Sequence, residues 1–265
     1  MKRCRAMNKF GLVFKHYFIR LIKDKLGLGL QVGLPLFIIL FMINLPDDTP
    51  YLGQVWAIIA SNFIIGFSLF GGQWALGHIF DDLKATRKWR LMATPVGDGV
   101  FTNAAMLGSM IISFVQSMII MVVVTIATPV EWGNIPLLIG TLILTNLLSH
   151  AFNYFLTVVV KDYKTANGIT MVVTMGLMII GGGIIMGIDG LVNIDAFTFI
   201  HDYVTPLSMG RQVMVNGGGA VLFETGEFVQ VGTDWGLVML NVGLLLGLTA
   251  LFALASAVMR KVKKS

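Results

Sequence analysis

Apolar positions gather into six long stretches, over about 26–45, 52–79, 99–127, 135–160, 168–188 and 235–259, separated by polar connections. A helix rises ~1.5 Å per residue, so ~20 residues cross a ~30 Å hydrocarbon layer, and each stretch is long enough. The pattern predicts an all-α integral membrane protein with six transmembrane helices, forming one domain over 1–265. Ahead of the first stretch the periodicity changes. On a helical wheel Phe10, Phe14, Tyr17, Phe18 and Leu21 share one face, while Lys9, His16, Arg20 and Lys23 gather on another. This predicts an amphipathic interfacial helix in the headgroup plane, its aromatic side dipped into the acyl boundary.

Polar residues inside the stretches are sparse and ordered. Ser109, Ser113 and Ser117 repeat every fourth residue in the third, as do Thr141, Thr145, Ser149, Asn153 and Thr157 in the fourth. Such rows wind round one helix face, where they either pack helices by hydrogen bonding or line a translocation path. The candidates for that path are Ser113, Gln116, Ser117, Thr145, Ser149, His150 and Asn153. His150 is open to interhelical bonding, substrate contact or a proton relay. Gly29 and Gly33, Gly183 and Gly187, and Gly243 and Gly247 have GxxxG spacing, which suits close helix contact within one bundle or between copies. No Asp, Glu, Lys or Arg lies in a span interior by this reading, so the usual equipment of an ion-coupled carrier is lacking.

Charge orients the spans. All but Arg211 of the 19 Lys and Arg residues fall before the first stretch, in the second-to-third and fourth-to-fifth connections, or in the tail. The positive-inside rule therefore places both termini in the cytoplasm of a multi-pass protein of the cell membrane. The other side is acidic, with Asp47, Asp48, Glu131, Asp189, Asp195, Asp202, Glu224, Glu227 and Asp234. Its long segment, 189–234, has Phe197, Ile200, Tyr203, Val204 and Leu207 at helical intervals. It reads as one or two short external helices re-entering the bilayer, then a turn at Gly217, Gly218 and Gly219, then a hairpin or loop over 223–231. An external gate would use Tyr203, Pro206 and Arg211.

An apolar fraction of 56% with 12% charged residues excludes a separate soluble domain. The net charge of +5 borders apolar spans, which points to anionic lipid headgroups rather than nucleic acid. Cys4 is the single cysteine, so an internal disulfide and a thiolate-rich metal site are excluded. His78, Asp81 and Asp82 have metal-ligand spacing, but their interfacial position reads as solvation. The opening segment lacks the form of a cleavable signal, and Met7 is an alternative start to Met1. GxxxxGK[ST], GxSxG and HExxH do not occur, so the chain reads as a non-enzyme that binds no cofactor, with any ATPase on another polypeptide.

The connection over 81–96 carries the most specific motif. Pro95 ends or redirects a short helix in which Leu83, Trp89, Leu91 and Met92 offer docking side chains. The run Arg90-Leu91-Met92-Ala93-Thr94-Pro95-Val96 resembles the LLxTPxS segment of ABC type-2 exporter permeases, and Ile200, Tyr203, Pro206, Leu207 and Arg211 resemble that family's pattern before the last span. Thr86, Trp89 and the Val96-Gly97 pair depart from it, where the family often has glycine, glutamate and a serine. The resemblance covers essentially the whole chain.

It implies a coupling helix between spans 2 and 3, with Arg87, Lys88, Trp89, Arg90, Leu91, Met92 and Pro95 held by a partner ABC ATPase that binds ATP and Mg. It also implies a permease homodimer or heterodimer in the lipid bilayer, exporting a drug, antibiotic peptide or lipid. Charge-free spans rich in Met and Phe suit an amphipathic or hydrophobic cargo. A topological anchor of positive charge and interfacial tryptophan is the alternative reading of residues 87–90, and it is compatible with the coupling role. A non-transporting immunity or assembly protein, and a secondary carrier, are the alternative functions.

Overall fold

The computed structural model describes residues 2–43, 52–83, 89, 93–94, 96–127, 130, 132, 134–180, 205–218, 221–224, 227–230 and 234–262. Side chains are described over 9–41, 60–83, 89, 93–94, 96–127, 130, 132, 134–180, 205–210, 212–213 and 234–262. In chain order come α1 (Lys2–Lys23), α2 (Lys25–Leu28), a π-helical turn (Gly29–Gly33), α3 (Leu34–Ile43), α4 (Leu52–Leu69) and α5 (Gly71–Leu83). They are followed by α6 (Asp98–Ala127), α7 (Ile135–Val159), α8 (Tyr163–Ile180), α9 (Pro206–Gly218), a hairpin of β1 (Val221–Glu224) and β2 (Glu227–Gln230), and α10 (Trp235–Val262).

Among the described residues, five helices are long and apolar enough to cross a membrane: Ala60–Leu83, spanning α4 and α5, and then α6, α7, α8 and α10. A sixth crossing is counted when Lys9–Lys23 and Lys25–Phe41 are taken as one pair, bent by 66°. The bend falls at Asp24, whose Oδ1 accepts the Gly27 N–H at 3.0 Å and so caps α2. The amphipathic arm thus swings away from the apolar first span.

Several expected boundaries shift. α5 runs to Leu83, so Asp81 and Asp82 belong to the helix and not to the connection. α8 begins at Tyr163, with Asp162 accepting the Thr165 N–H at 2.8 Å, so Lys164 stands in the first turn and the fourth-to-fifth connection is short. The last eight residues of the expected fifth span, 181–188, lie outside the described residues, as does 189–204 of the external segment. α9 continues through Gly217 and Gly218, replacing the expected turn there with helix. The hairpin pairs Val221 with Gln230 and Glu224 with Glu227, which settles the choice between hairpin and loop.

The aromatic face of α1 packs on protein. Tyr17 and Leu21 are 2% and 0% exposed, and Tyr17 joins Ala75, Ile79, Phe101, Ala104 and Met106 in a core cluster that Phe10 and Phe14 pad. An amphipathic helix buries its apolar stripe against whichever apolar surface fits it, and here the small residues of α5 and α6 admit the rings closely. The larger core joins Ile64, Ile65, Ile120, Leu138, Leu142 and Leu207, tying α4, α6, α7 and α9 together.

Span 2 is interrupted at Phe70. There Phe70 N–H bonds the Phe67 carbonyl and Gln73 N–H bonds the Phe70 carbonyl, both at 3.0 Å, so the chain tightens for one turn. The Leu69 carbonyl and the Gly72 N–H lose their helical partners, a severe cost in an apolar slab. Ser149 of α7 replaces both: its hydroxyl donates to the Leu69 carbonyl at 2.5 Å and accepts the Gly72 N–H at 3.0 Å. The approach requires glycine, since a Cβ on Gly72 would lie 2.7 Å from the Ser149 carbonyl oxygen and one on Gly71 would strike the Ser113 side chain.

The GxxxG pairs behave otherwise. A Cβ added to Gly29, Gly33, Gly243 or Gly247 meets nothing within 4 Å, so neither pair makes a close contact within this chain. Gly183 and Gly187 lie outside the described residues.

Ser149→Ala strips two backbone groups of their partner at the break and should destabilise the protein by about 2 kcal/mol, read as a lowered midpoint of thermal unfolding in detergent. Thr249→Ala, which removes a hydroxyl bonded to the Leu245 carbonyl of its own helix, should leave the midpoint nearly unchanged. Equal effects would rule out the role of Ser149 at the break.

Candidate functional site

The polar row on α6 and α7 forms a buried seam. Ser113, Gln116, Ser117, Thr145, Ser149, His150 and Asn153 are all 5% exposed or less. Ser68 and Thr145 hydroxyls meet at 3.4 Å, Thr170 donates to Asn153 Oδ1 at 2.9 Å, and Asn146 Nδ2 donates to the Met110 carbonyl at 2.9 Å. His150 Nδ1 lies 2.8 Å from the Asn146 carbonyl, which only accepts, so we assign the ring proton to Nδ1. Its Nε2, 2.9 Å from Ser109 Oγ, then accepts from that hydroxyl. Not every polar atom is used: Ser113 Oγ, Gln116 Oε1 and Asn146 Oδ1 are buried with no hydrogen-bond partner.

A second polar assembly lies at the end of span 2 that leads into the 84–96 connection. Trp74, His78 and Asp82 follow one another at four-residue spacing and so share a face of α5. Tyr17, Arg20 and Asp24 come to that face from α1 and its terminus. Asp82 Oδ2 accepts the Tyr17 hydroxyl at 2.6 Å and the Arg20 guanidinium at 2.5 Å. One turn away, Asp24 Oδ2 accepts the Trp74 indole N–H at 2.8 Å and has His78 Nε2 at 3.6 Å. Gly27 fits beside the Trp74 indole because a Cβ there would collide with the ring nitrogen. Burial raises the Asp24 carboxyl, but Trp74, the Gly27 amide and His78 outweigh it and hold it below the ordinary carboxylate range. Its contribution is therefore present above that range and is lost as the pH falls through its own lower value.

This arrangement corrects the reading of His78 and Asp82 as solvated interfacial groups, while Asp81 keeps it. Asp81 is exposed, but Asp82 is 6% exposed and ion-paired, and His78 faces Asp24. It also introduces site residues that the pattern reading missed, namely Tyr17, Asp24, Trp74 and Gly27. The four-residue spacing on α5 and a lone acid in a basic arm were the available signals, and neither shows which helices meet.

The 84–96 connection is anchored on the same assembly. Leu83 at one foot and Val96 at the other both pack on the cluster of Tyr17, Ile79 and Phe101. Between them Trp89 is helical and 67% exposed, and the Ala93 N–H bonds its carbonyl at 3.3 Å. Arg87, Lys88, Arg90, Leu91, Met92 and Pro95 lie outside the described residues. Nearby, the Arg260 guanidinium sits 4.5 Å from the Tyr154 ring centroid, joining the end of α10 to α7. Of the expected gate, Tyr203 lies outside the described residues, Pro206 is buried at the first position of α9, and Arg211 is on α9 with its side chain undescribed.

Asp82→Asn should lower the stability by about 2 kcal/mol, because buried Tyr17 and half-buried Arg20 keep their positions but lose the anion they face. Asp81→Asn should be neutral within error. Unfolding midpoints in detergent that fall equally for both would discount the ion pair.

A family model described as ABC-2 family transporter protein matches residues 42–258. A search of curated proteins finds no match. The matched region takes in α4 to most of α10, the 84–96 connection and the α5 half of the latch that Tyr17, Arg20 and Asp24 form with Trp74, His78 and Asp82, while α1 precedes it. With this match over most of its length and its helices long and apolar enough to cross a membrane, the chain belongs to the ABC-2 transporter family, the membrane-spanning subunits of ABC transporters as distinct from their ATPases.

Proposed function

We propose that this permease works in an ATP-driven exporter, as a homodimer or heterodimer, and moves an amphipathic or hydrophobic cargo such as a drug, antibiotic peptide or lipid. A separate ABC ATPase, implied by the family, holds ATP and Mg and grips the 84–96 connection through Arg87, Lys88, Trp89, Arg90, Leu91, Met92 and Pro95. The distribution of Lys and Arg supports cytoplasmic termini and a cytoplasmic connection.

The observation that carries the reading is the footing of that connection. Leu83 and Val96 press on one cluster shared by α1, α5 and α6, so a force applied at exposed Trp89 loads all three helices together. Closure of two ATPase subunits would tilt spans 2 and 3 as a unit, and ATP biases that tilt through contacts that differ between the two arrangements. The external end of α9, from Pro206 to Arg211, would gate release together with Tyr203.

The polar row divides by use. Thr145, Ser149, His150 and Asn153 engage neighbouring helices and serve packing. Ser117 donates to the Ser113 carbonyl of its own helix at 3.1 Å and also belongs with packing. Ser113 and Gln116 keep an unbonded oxygen in the interior, which costs stability and supports a place beside the path that opens in the other arrangement.

Affinity purification of the tagged chain from native membranes should recover an ABC ATPase, and Trp89→Ala with Arg90→Ala should reduce that recovery. Absence of an ATPase with the wild type would overturn the exporter reading in favour of an immunity protein or secondary carrier. In a Cys4→Ser background, Ser113→Cys and Gln116→Cys should gain reactivity toward a small thiol reagent when ATP is added, and Asn153→Cys should not. Uniform inertness would remove Ser113 and Gln116 from the path.

A further inference from the structure

The latch between α1 and α5 leaves a concavity of about 490 Å³ on its outer side, lined by His16, Ile19, Arg20, Lys23, Asp24 and His78. It sits at the 66° bend where the amphipathic arm meets the first span; an arm lying in the headgroup plane would bring this point to the border between headgroups and acyl chains. We propose that this concavity binds the phosphate of an anionic phospholipid, an assignment independent of the exporter reading.

Its chemistry selects for an anion. Two permanent cations, Arg20 and Lys23, and two imidazoles, His16 and His78, line it against a single carboxylate. That carboxylate is already engaged: Asp24 Oδ1 accepts the Gly27 amide, and Oδ2 accepts the Trp74 indole and faces His78. Arg20 meets Asp82 through Nη1, and a guanidinium has five N–H donors, so donors remain for a second anion. Lys23 and His16 are exposed and make no ion pair among the described residues. A divalent cation would find one carboxylate with both oxygens occupied, which is the wrong donor set. A zwitterionic headgroup would bring a further positive charge beside Arg20 and Lys23, where the one lining carboxylate is already engaged.

The apolar neighbours distinguish a lipid from a free phosphate. Ile19 lines the concavity at 41% exposure, and Ile22 and Leu26, on either side of the bend, are 47% and 74% exposed. An acyl chain beside the bound phosphate would cover such side chains, whereas a soluble anion would leave them in water. Bound there, the lipid would bridge α1 to α5 from outside while Asp82 does so from inside.

The full-length chain, purified in mild detergent and placed in phosphatidylcholine nanodiscs with rising phosphatidylglycerol, tests this by native mass spectrometry of the phosphatidylglycerol retained. The wild type should hold it at low mole fraction, and Lys23→Gln should weaken retention about fivefold, the effect of one interfacial cation. Lys23→Arg should restore retention, and Lys261→Gln, at the basic end of α10, should leave it unchanged. Lys23 is exposed, so the variant is expected to fold, and an unchanged unfolding midpoint checks this. Equal retention by Lys23→Gln and wild type would overturn the proposal, as would an equal loss in Lys261→Gln, which would mean diffuse attraction to the surface. Displacement of the lipid by millimolar inorganic phosphate would assign the concavity to a soluble anion and overturn the lipid assignment.

Discussion

A carboxylate at the end of an apolar span is costly to bury, and Asp82 is buried because Tyr17 and Arg20 reach it from another helix. That contact fixes the direction of α1. With α1 held, its rings close over Ala75, Ile79, Phe101 and Ala104, and the cluster so completed receives both Leu83 and Val96. Asp24, with Trp74 and Gly27, repeats the attachment one turn further along. Removing the Asp82 pair would therefore loosen more than one salt bridge, since the arm, the second span and the footing of the 84–96 connection share a single packed surface.

The same scarcity of partners shapes the middle of the bundle. Where span 2 breaks at Phe70, two backbone groups need partners that water cannot supply, and one serine on α7 provides both. Gly71 and Gly72 allow α7 to come close enough for this, so break, glycines and serine form one device. A short tight turn between two straight helical segments, held from a neighbouring helix, is a natural place for a span to change its angle. Asp82 lies at one end of the second segment and the serine at the other, so α5 is held at both ends.

Family membership gives this construction its context. On the proposed reading, force from a separate ATPase would pass through the exposed 84–96 connection into the spans, which calls for a footing on packed side chains. Leu83 and Val96 provide such a footing. The α1 half of the latch lies outside the matched region and the α5 half inside it, so the arm is attached to the family body through Asp82 and Trp74.

The run of apolar residues determined by itself that the chain is an all-α membrane protein and where five of its six expected crossings lie, because a helix must be long enough to bury its own backbone in hydrocarbon; the first crossing emerged as a bent pair. The amphipathic period of residues 9–23 determined that a helix would precede the first span, and the Arg90-to-Val96 run pointed to the family. Sequence could not say what the aromatic face of that helix would meet, since Phe10, Phe14 and Tyr17 satisfy lipid and protein alike. It placed Asp82 in a connection because a charge normally ends a span; only the tertiary structure supplies the Arg20 and Tyr17, more than sixty positions away, that keep it within the helix. Likewise a row of serines and threonines has the same spacing whether it packs or lines a path. Which of its hydroxyls are engaged was decided by the break in span 2, a feature with no signal of its own beyond two glycines, because hydrogen-bond partners across helices are set by packing and not by local period.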